Sequence, residues 1–230
     1  MQITFVGNKT KATGLVAAVA ILGLGVVQCQ AQSVIYNFAD DTADGWVNSG
    51  FGSTPAATVS TINGANYIYL ANVGFQSGNV TGGTGTALLT AMQAAAANPA
   101  GFDISYNYYI NTATYVGATY LQLGTFVNEG NGTYKQDYST PNEIAFNGTQ
   151  LASGGIFQGT VTFSFAAAGF TGLSTTDTLY RLGLIENGNG TGGGVYYTDI
   201  SITPVPEPAS LALCGLGLAG GAALLRRRKA

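Results

Sequence analysis

Apolar and polar side chains alternate along several short segments of this chain, and this alternation restricts the fold more than any other feature of the sequence. In residues 103–110, every second side chain is large and apolar or aromatic, at Ile104, Tyr106, Tyr108 and Ile110. A period of two places these side chains on one face of a strand. Comparable segments occur at residues 34–39, 67–73, 115–127, 160–165, 178–185 and 195–203. The pattern predicts short β-strands separated by turns.

Turn and helix signals complete this prediction. Gly accounts for 34 residues, and clusters of Gly and Asn separate the strand segments. Only residues 86–97, which read TALLTAMQAAAA, predict a helix, and Asn98 and Pro99 end it. A Gly-rich chain is also compatible with disorder, but the regular alternation of Tyr, Val, Ile and Phe favours a packed core. We therefore predict an all-β fold, a β-sandwich of jelly-roll type, over residues 32–203.

The charge and the missing residue types exclude several classes of function. Between residues 33 and 203 the chain has two basic residues, Lys135 and Arg181, against ten acidic ones. An acidic body repels phosphate backbones, so we predict no nucleic-acid binding. The sequence has no His, which excludes Ser-His-Asp and Cys-His nucleophilic sites and His-containing zinc sites. Both cysteines, Cys29 and Cys214, lie in terminal apolar segments, so the body has no disulfide framework.

Residues 1–31 have the order of a secretory signal peptide. Lys9 and Lys11 supply positive charge before an apolar stretch at residues 12–27. Small residues at Cys29 and Ala31 occupy the −3 and −1 positions of a cleavage site after Ala31. The segment therefore predicts export through the Sec translocon. An uncleaved membrane anchor and a lipoprotein signal at Cys29 are the alternatives.

Three consecutive segments make up residues 204–230. The prolines of Val205-Pro206-Glu207-Pro208 prevent a continuous helix there. Residues 209–225 carry no charge and are close to the minimum length for a transmembrane helix. The span ends at a basic cluster, which consists of Arg226, Arg227, Arg228 and Lys229. Because Lys and Arg are enriched on the cytoplasmic side of membrane spans, the cluster predicts a membrane stop with the body outside the cytoplasm.

This order of motif, span and basic tail resembles the PEP-CTERM sorting signal of Gram-negative bacteria. The resemblance lies in the motif at 205–210 (VPEPAS), the span at 209–225 and the tail at 226–229. It implies processing by an exosortase, a membrane-embedded transpeptidase that cuts near the motif. The inner-membrane anchor would then be temporary, and the body would end at the cell surface or outside the cell. Proteins with this signal are typical of bacteria that make exopolysaccharide.

The two ends of the body are similar to those of jelly-roll carbohydrate-binding modules. Residues 36–46 (YNFADDTADGW) resemble the first strand of that family, and residues 195–202 (VYYTDISI) resemble its last strand. In that family the two strands commonly pair, and a structural Ca²⁺ often lies between them. The resemblance implies Asp40, Asp41 and Asp199 as oxygen ligands of Ca²⁺. Solvated turn acids are the alternative interpretation of these residues.

Aromatic residues are the candidates for glycan contact. The ring of Trp46, the single Trp, either stacks on the C–H face of a sugar or fills the core beside the first strand. Tyr is abundant, with 13 residues. Tyrosines such as Tyr108, Tyr109, Tyr134 and Tyr138 are either sugar platforms or ordinary strand residues.

The sequence contains no recognisable catalytic motif. Glycoside hydrolysis needs two carboxyl groups across the scissile bond. Glu129, Glu143 and Glu186 lie in or beside turns rich in Gly and Asn, where solvated charges are expected. We therefore predict a non-enzymatic, exported surface or extracellular-matrix protein associated with exopolysaccharide. A lectin-like module with structural Ca²⁺ is the alternative, and a glycoside hydrolase or lyase is a third hypothesis.

Overall fold

The structure of the chain, a computed structural model, describes residues 33–49, 56–71, 75–129, 135–138, 144–189 and 192–206. Residues Gln32–Val205 form one compact unit. Its helices are α1 (Ala87–Ala97) and the single turn α2 (Gly148–Leu151). Its strands are β1 (Val34–Tyr36), β2 (Val47–Ser49), β3 (Thr58–Ile62), β4 (Ala65–Ala71), β5 (Phe75–Gly83), β6 (Phe102–Asn111), β7 (Tyr120–Glu129), β8 (Lys135–Tyr138), β9 (Ile144–Asn147), β10 (Ile156–Ser164), β11 (Leu179–Gly188) and β12 (Gly194–Pro204).

The strands form two antiparallel sheets, which pack as a β-sandwich. The first sheet has the order β10-β6-β12-β4-β3, and the second has the order β2-β5-β11-β7-β8. Two further strands join these sheets, β1 beside β12 and β9 beside β7. The predicted all-β sandwich is therefore confirmed.

Strand β12 lies inside the first sheet, although it is the last strand in the described part of the chain. It pairs with β6 along one edge, and with β4 and β1 along the other. The register joins Tyr197 to Ile68 of β4 and Ile202 to Val34 of β1. The first and last strands are thus paired, as the resemblance to jelly-roll modules implied.

The core lies between the sheets because alternate residues of each strand point inward. On β6 these are the predicted residues Ile104, Tyr106 and Ile110, each with no exposed surface. The second sheet contributes Leu182 and Leu184 from β11. Burial of a large apolar side chain contributes about 1.5–3 kcal/mol to folding, so this alternation drives the packing of the sheets.

Helix α1 confirms the helix predicted at residues 86–97, whereas the single turn α2 was not predicted. Thr86 is its N-cap, with the side-chain oxygen accepting a hydrogen bond from the Leu89 N–H at 3.2 Å. Asn98 ends the helix before Pro99, where a proline cannot continue it. Its buried side chains include Leu88 and Met92, which belong to the sandwich core.

Strands at each predicted segment are confirmed, but β2, β3, β5, β8 and β9 are not anticipated by the sequence. The signal peptide (1–31), the span (209–225) and the basic tail (226–229) lie outside the described residues. Within the described ranges, no helix has the length and apolar character needed to cross a bilayer.

Candidate functional site

Four tyrosines lie together on the outer face of the first sheet. Tyr67 and Tyr69 of β4 flank the buried Ile68, Tyr109 precedes the buried Ile110 of β6, and Tyr196 lies between buried residues of β12. The register places Tyr196 between Tyr69 and Tyr109. The ring centroids are 4.8 Å apart for Tyr69 and Tyr196, 6.1 Å for Tyr109 and Tyr196, and 6.4 Å for Tyr67 and Tyr109. We call these four residues the tyrosine cluster.

A pocket of about 410 Å³ opens at one end of the tyrosine cluster. Its described lining combines three tyrosines with small and amide side chains, namely Ile62, Tyr69, Tyr109, Asn111, Thr114, Gly193, Gly194 and Tyr196. Neither a carboxylate nor a basic side chain occurs among these described lining residues. The pocket therefore offers ring faces, hydroxyl groups and an amide, all of them uncharged.

The turn before β12 determines where the Tyr69 ring lies. The Tyr69 hydroxyl donates a hydrogen bond to the Gly193 carbonyl oxygen at 3.1 Å. A Cβ atom at Gly194 would overlap both the Tyr69 ring and the Leu70 carbonyl oxygen. Only glycine leaves room for the ring to pack against the backbone at this position.

Burial raises the pKa of Tyr69, and nearby Tyr196 and Glu186 raise it further. Burial is also the main cause of the raised pKa of Tyr67, with a smaller contribution from the charge of Asp199. Both phenols therefore stay protonated at neutral pH and can act as hydrogen-bond donors. Aromatic faces beside hydroxyl and amide groups match the mixed apolar and polar surface of a sugar ring.

A strip of polar side chains continues the same outer face beyond the tyrosine cluster. The Asn107 amide donates to Asp199 Oδ2 at 2.8 Å, and its carbonyl oxygen accepts from the Thr160 hydroxyl at 2.6 Å. Ser105 and Thr162 are joined by a hydroxyl–hydroxyl contact of 2.9 Å one step further along the sheet. The two bonds of Asn107 hold the exposed Asp199 carboxylate in a defined position beside the cluster.

The aspartates predicted to bind Ca²⁺ have separate partners. Asp40 accepts hydrogen bonds from the backbone and hydroxyl of Thr42, and these bonds lower its pKa. Asp41 and the Phe38 carbonyl oxygen both accept from the Asn66 amide, at 2.7 and 2.9 Å. In the described ranges, no group of three or more acidic, Cys or His side chains is arranged to hold a metal. The three aspartates do not form one ligand set there, and Ca²⁺ binding stays a prediction.

The prediction that Trp46 contacts a glycan is wrong, because its side chain is completely buried. The indole packs edge-to-face on Tyr36 at 5.7 Å and belongs to the core. Of the tyrosines named from the sequence, Tyr109 belongs to the tyrosine cluster. Tyr108 points inward and packs against Phe146 at 6.0 Å. Tyr134 and the side chain of Tyr138 lie outside the described part of the structure.

Sequence reasoning did not identify Tyr67, Tyr69 and Tyr196 as candidates. Their signal was available in the alternation, since each is one position away from a core residue. The sequence could place them on an outer face, but only the strand order brings β4, β6 and β12 together.

Two of the three glutamates differ from the solvated charges that the sequence predicted. Glu186 lies on the inward face of β11 with no exposed surface. Glu129, at the end of β7, is 6% exposed and accepts a hydrogen bond from the Ser174 N–H at 3.1 Å. Glu143 lies outside the described residues. Neither buried glutamate lines the pocket.

Residues 204–229 match the PEP-CTERM protein-sorting motif. Val205 and Pro206, which begin the proline motif, are exposed and follow β12 directly. Glu207, Pro208 and the rest of the signal lie beyond the described residues. No curated protein sequence matches the chain.

The sandwich is similar to solved carbohydrate-binding modules. A module specific for non-crystalline cellulose, of family 28, has a TM-score of 0.50 and 14% identity, over 74% of this chain and 92% of the module. A family 30 module of a cellulosomal cellulase from Clostridium thermocellum has a TM-score of 0.48 and 15% identity, over 75% and 98% of the two chains. A family 11 module from the same organism, in complex with a β-1,3-1,4-mixed-linked tetrasaccharide, has a TM-score of 0.44 and 11% identity, over 76% and 97%. At these identities the similarity concerns the fold alone. The chain therefore carries a PEP-CTERM protein-sorting motif behind a β-sandwich that is similar in fold to jelly-roll carbohydrate-binding modules.

Proposed function

We propose that this chain is an exported surface or extracellular-matrix protein whose sandwich binds polysaccharide through the tyrosine cluster and its pocket. The signal peptide delivers the body through the Sec translocon. The sorting signal then holds it at the inner membrane until an exosortase-type transpeptidase cuts near Pro208. The sorting motif at residues 204–229 supports the export route.

The tyrosine cluster is the observation that carries the binding proposal. Aromatic rings on an outer sheet face are normally scattered, because an exposed apolar patch has a cost in water. Here three of the four rings line a pocket, and the described lining supplies hydroxyl and amide groups between them. A sugar can stack its C–H face on a ring and use these groups for its hydroxyls.

The same pocket supports a binding role in preference to hydrolysis. A glycosidase needs two carboxyl groups on either side of the scissile bond, at most about 9.5 Å apart. The described pocket lining has no carboxyl group, and Glu129 and Glu186 face the core. We therefore propose a non-enzymatic module. Structural Ca²⁺ at Asp40, Asp41 or Asp199 remains a separate proposal. If the metal is bound there, its removal with a chelator should lower the melting temperature.

Substitution of the central tyrosine tests the binding proposal. The full chain, purified from an exporting bacterial host, is titrated with hydroxyethyl cellulose, dextran and galactomannan in a calorimeter. Tyr196→Ala removes the ring that contacts both Tyr69 and Tyr109. Because truncation of a central aromatic contact typically costs more than about 1.4 kcal/mol, affinity should fall at least tenfold.

Tyr120→Ala is the matched control. Tyr120 is 42% exposed on β7, in the second sheet. Its removal should leave affinity unchanged, and circular dichroism should show that both variants fold. Equal losses from the two variants, or no binding of any polymer by the wild type, would contradict the proposed site.

Mass spectrometry of the protein from cells and medium tests the export route. The expected species begins at Gln32 and ends near Pro208. An intact C-terminus on protein recovered from the medium would contradict exosortase processing.

A further inference from the structure

We infer that Asp199, held by Asn107 on the outer face of the first sheet, restricts the glycan site to uncharged polysaccharides. This inference rests on the proposed glycan-binding function. Asp199 would accept hydrogen bonds from sugar hydroxyls beside the tyrosine cluster, and it would repel polymers that carry carboxylate or sulfate groups.

A β-bulge in β12 directs Asp199 to the outer face. Thr198 pairs with Asn107 and Ser201 pairs with Ser105, so Asp199 and Ile200 lie opposite a single residue of β6. Asp199 adopts φ +50°, a left-handed conformation that is uncommon for residues other than Gly. Bulges of this kind often redirect a side chain in a sheet. Ile200 is fully buried, whereas Asp199 is exposed.

The Asp199 carboxylate is fixed and has spare acceptor capacity. Its Oδ2 accepts one hydrogen bond, from the Asn107 amide at 2.8 Å, and Asn107 is itself held by Thr160. An ionised carboxylate can accept about four hydrogen bonds, so most of its acceptor sites remain for a ligand. Charge-assisted hydrogen bonds are roughly twice as strong as neutral ones, which makes such a carboxylate an effective hydroxyl acceptor.

Asp199 is also adjacent to the tyrosine cluster. Asn107, which holds Asp199, lies two residues before Tyr109 on the same face of β6. The charge of Asp199 is also one of the causes of the raised pKa of Tyr67, after burial. Tyr67 in turn lies 6.4 Å from Tyr109, ring to ring. A sugar stacked at this end of the cluster would therefore lie within reach of the carboxylate.

The distribution of charge excludes anionic ligands from this face. The only basic residues between 33 and 203, Lys135 and Arg181, belong to β8 and β11 of the second sheet. No basic group is thus available on the first sheet to pair with a uronic acid or a sulfate, and bringing like charges together is unfavourable.

Matched neutral and anionic polymers test the inference. The full chain is titrated with dextran and carboxymethyl dextran, and with hydroxyethyl and carboxymethyl cellulose, which share their backbones within each pair. The wild type should prefer the neutral member at least tenfold. Asp199→Asn keeps the size and the backbone preference of the residue but removes the charge. Its affinity for the neutral polymer should fall about tenfold, while its affinity for the carboxymethyl polymer should rise.

Asp103→Asn controls for the overall charge of the sheet. Asp103 lies four residues from Asn107, roughly 13 Å along the strand, on the same face. This variant should change either affinity by less than about threefold. The proposed role of Asp199 is wrong if Asp199→Asn and Asp103→Asn change the two affinities equally. It is also wrong if the wild type binds the neutral and the carboxymethyl polymer of a pair with equal affinity. Loss of binding in Tyr196→Ala would still support the proposed function in that case, whereas a wild type that binds no neutral polymer would overturn both.

Discussion

The buried Glu186 should make the sandwich less stable as the pH rises, and Glu186→Gln should remove this effect. Glu186 has no exposed surface, and its carboxyl oxygens make no well-formed hydrogen bond with a described residue. Burial raises its pKa well above the ordinary value, and the backbone of Val195 offsets only part of that shift. The groups beside it include the phenols of Tyr115 and Tyr197, whose own raised pKa values keep them neutral.

The sign and size of the effect follow from proton linkage. In the unfolded chain Glu186 has a pKa near 4.3, so it loses its proton above that pH. The folded chain keeps the proton, because the folded pKa is raised. Stability is therefore unaffected well below pH 4 and falls by about 1.4 kcal/mol per pH unit above about pH 5, until the pH reaches the folded pKa.

Urea denaturation at half-unit pH steps from 4 to 7 measures this slope. Gln has the same shape as a protonated Glu and does not titrate, so the variant lacks the Glu186 contribution. All other ionisable groups are identical in the two proteins, so their contributions cancel in the difference. Relative to the wild type, the free energy of unfolding of the variant should rise by about 1.4 kcal/mol per pH unit above pH 5. Parallel stability curves over this range would refute the assignment of a neutral, buried Glu186.

Two further substitutions test individual contacts made by residues of the first sheet. Asn66→Ala removes the amide that binds the Phe38 carbonyl oxygen and Asp41, so the free energy of unfolding in urea should fall by about 1–3 kcal/mol. An unchanged unfolding midpoint would show that these two hydrogen bonds do not stabilise the loop after β1. Gly194→Ala places a methyl group against the Tyr69 ring and the Leu70 backbone, so both polysaccharide affinity and melting temperature should fall. Gly83→Ala is its control, because a Cβ atom there meets nothing within 4 Å; equal melting temperatures for the two variants would contradict the packing described for Tyr69.

Local alternation was enough to predict the sandwich and much of its core. The faces of β6 follow directly from the period of two, and the Ala-rich stretch with Asn98 and Pro99 after it defines α1 from the sequence alone. Strand β5 could not be predicted in this way, because its inward positions include Gly78 and Gly82. These glycines leave space for Leu70 from the opposite sheet and Leu88 from α1, so the apolar signal lies on other elements.

The candidate site was less predictable because it depends on non-local pairing. Tyr69 and Tyr196 are far apart in the chain, and only their register in the sheet brings their rings to 4.8 Å. For Trp46 the sequence left two roles open, glycan contact and core packing, and its complete burial supports core packing. The buried Glu186 was misjudged because the Asn- and Gly-rich sequence after it reads as a turn, although its own side chain points into the core.

The central place of β12 has a consequence for the order of folding. Without this strand the first sheet separates into three parts, namely β10 with β6, β3 with β4, and β1 alone. The strand is also the last one to be synthesised before the sorting motif. A chain that has not yet released residues 194–204 from the ribosome lacks the element that joins these parts, and closure of such distant contacts is slow. The first sheet is therefore completed only after almost the whole body has been synthesised.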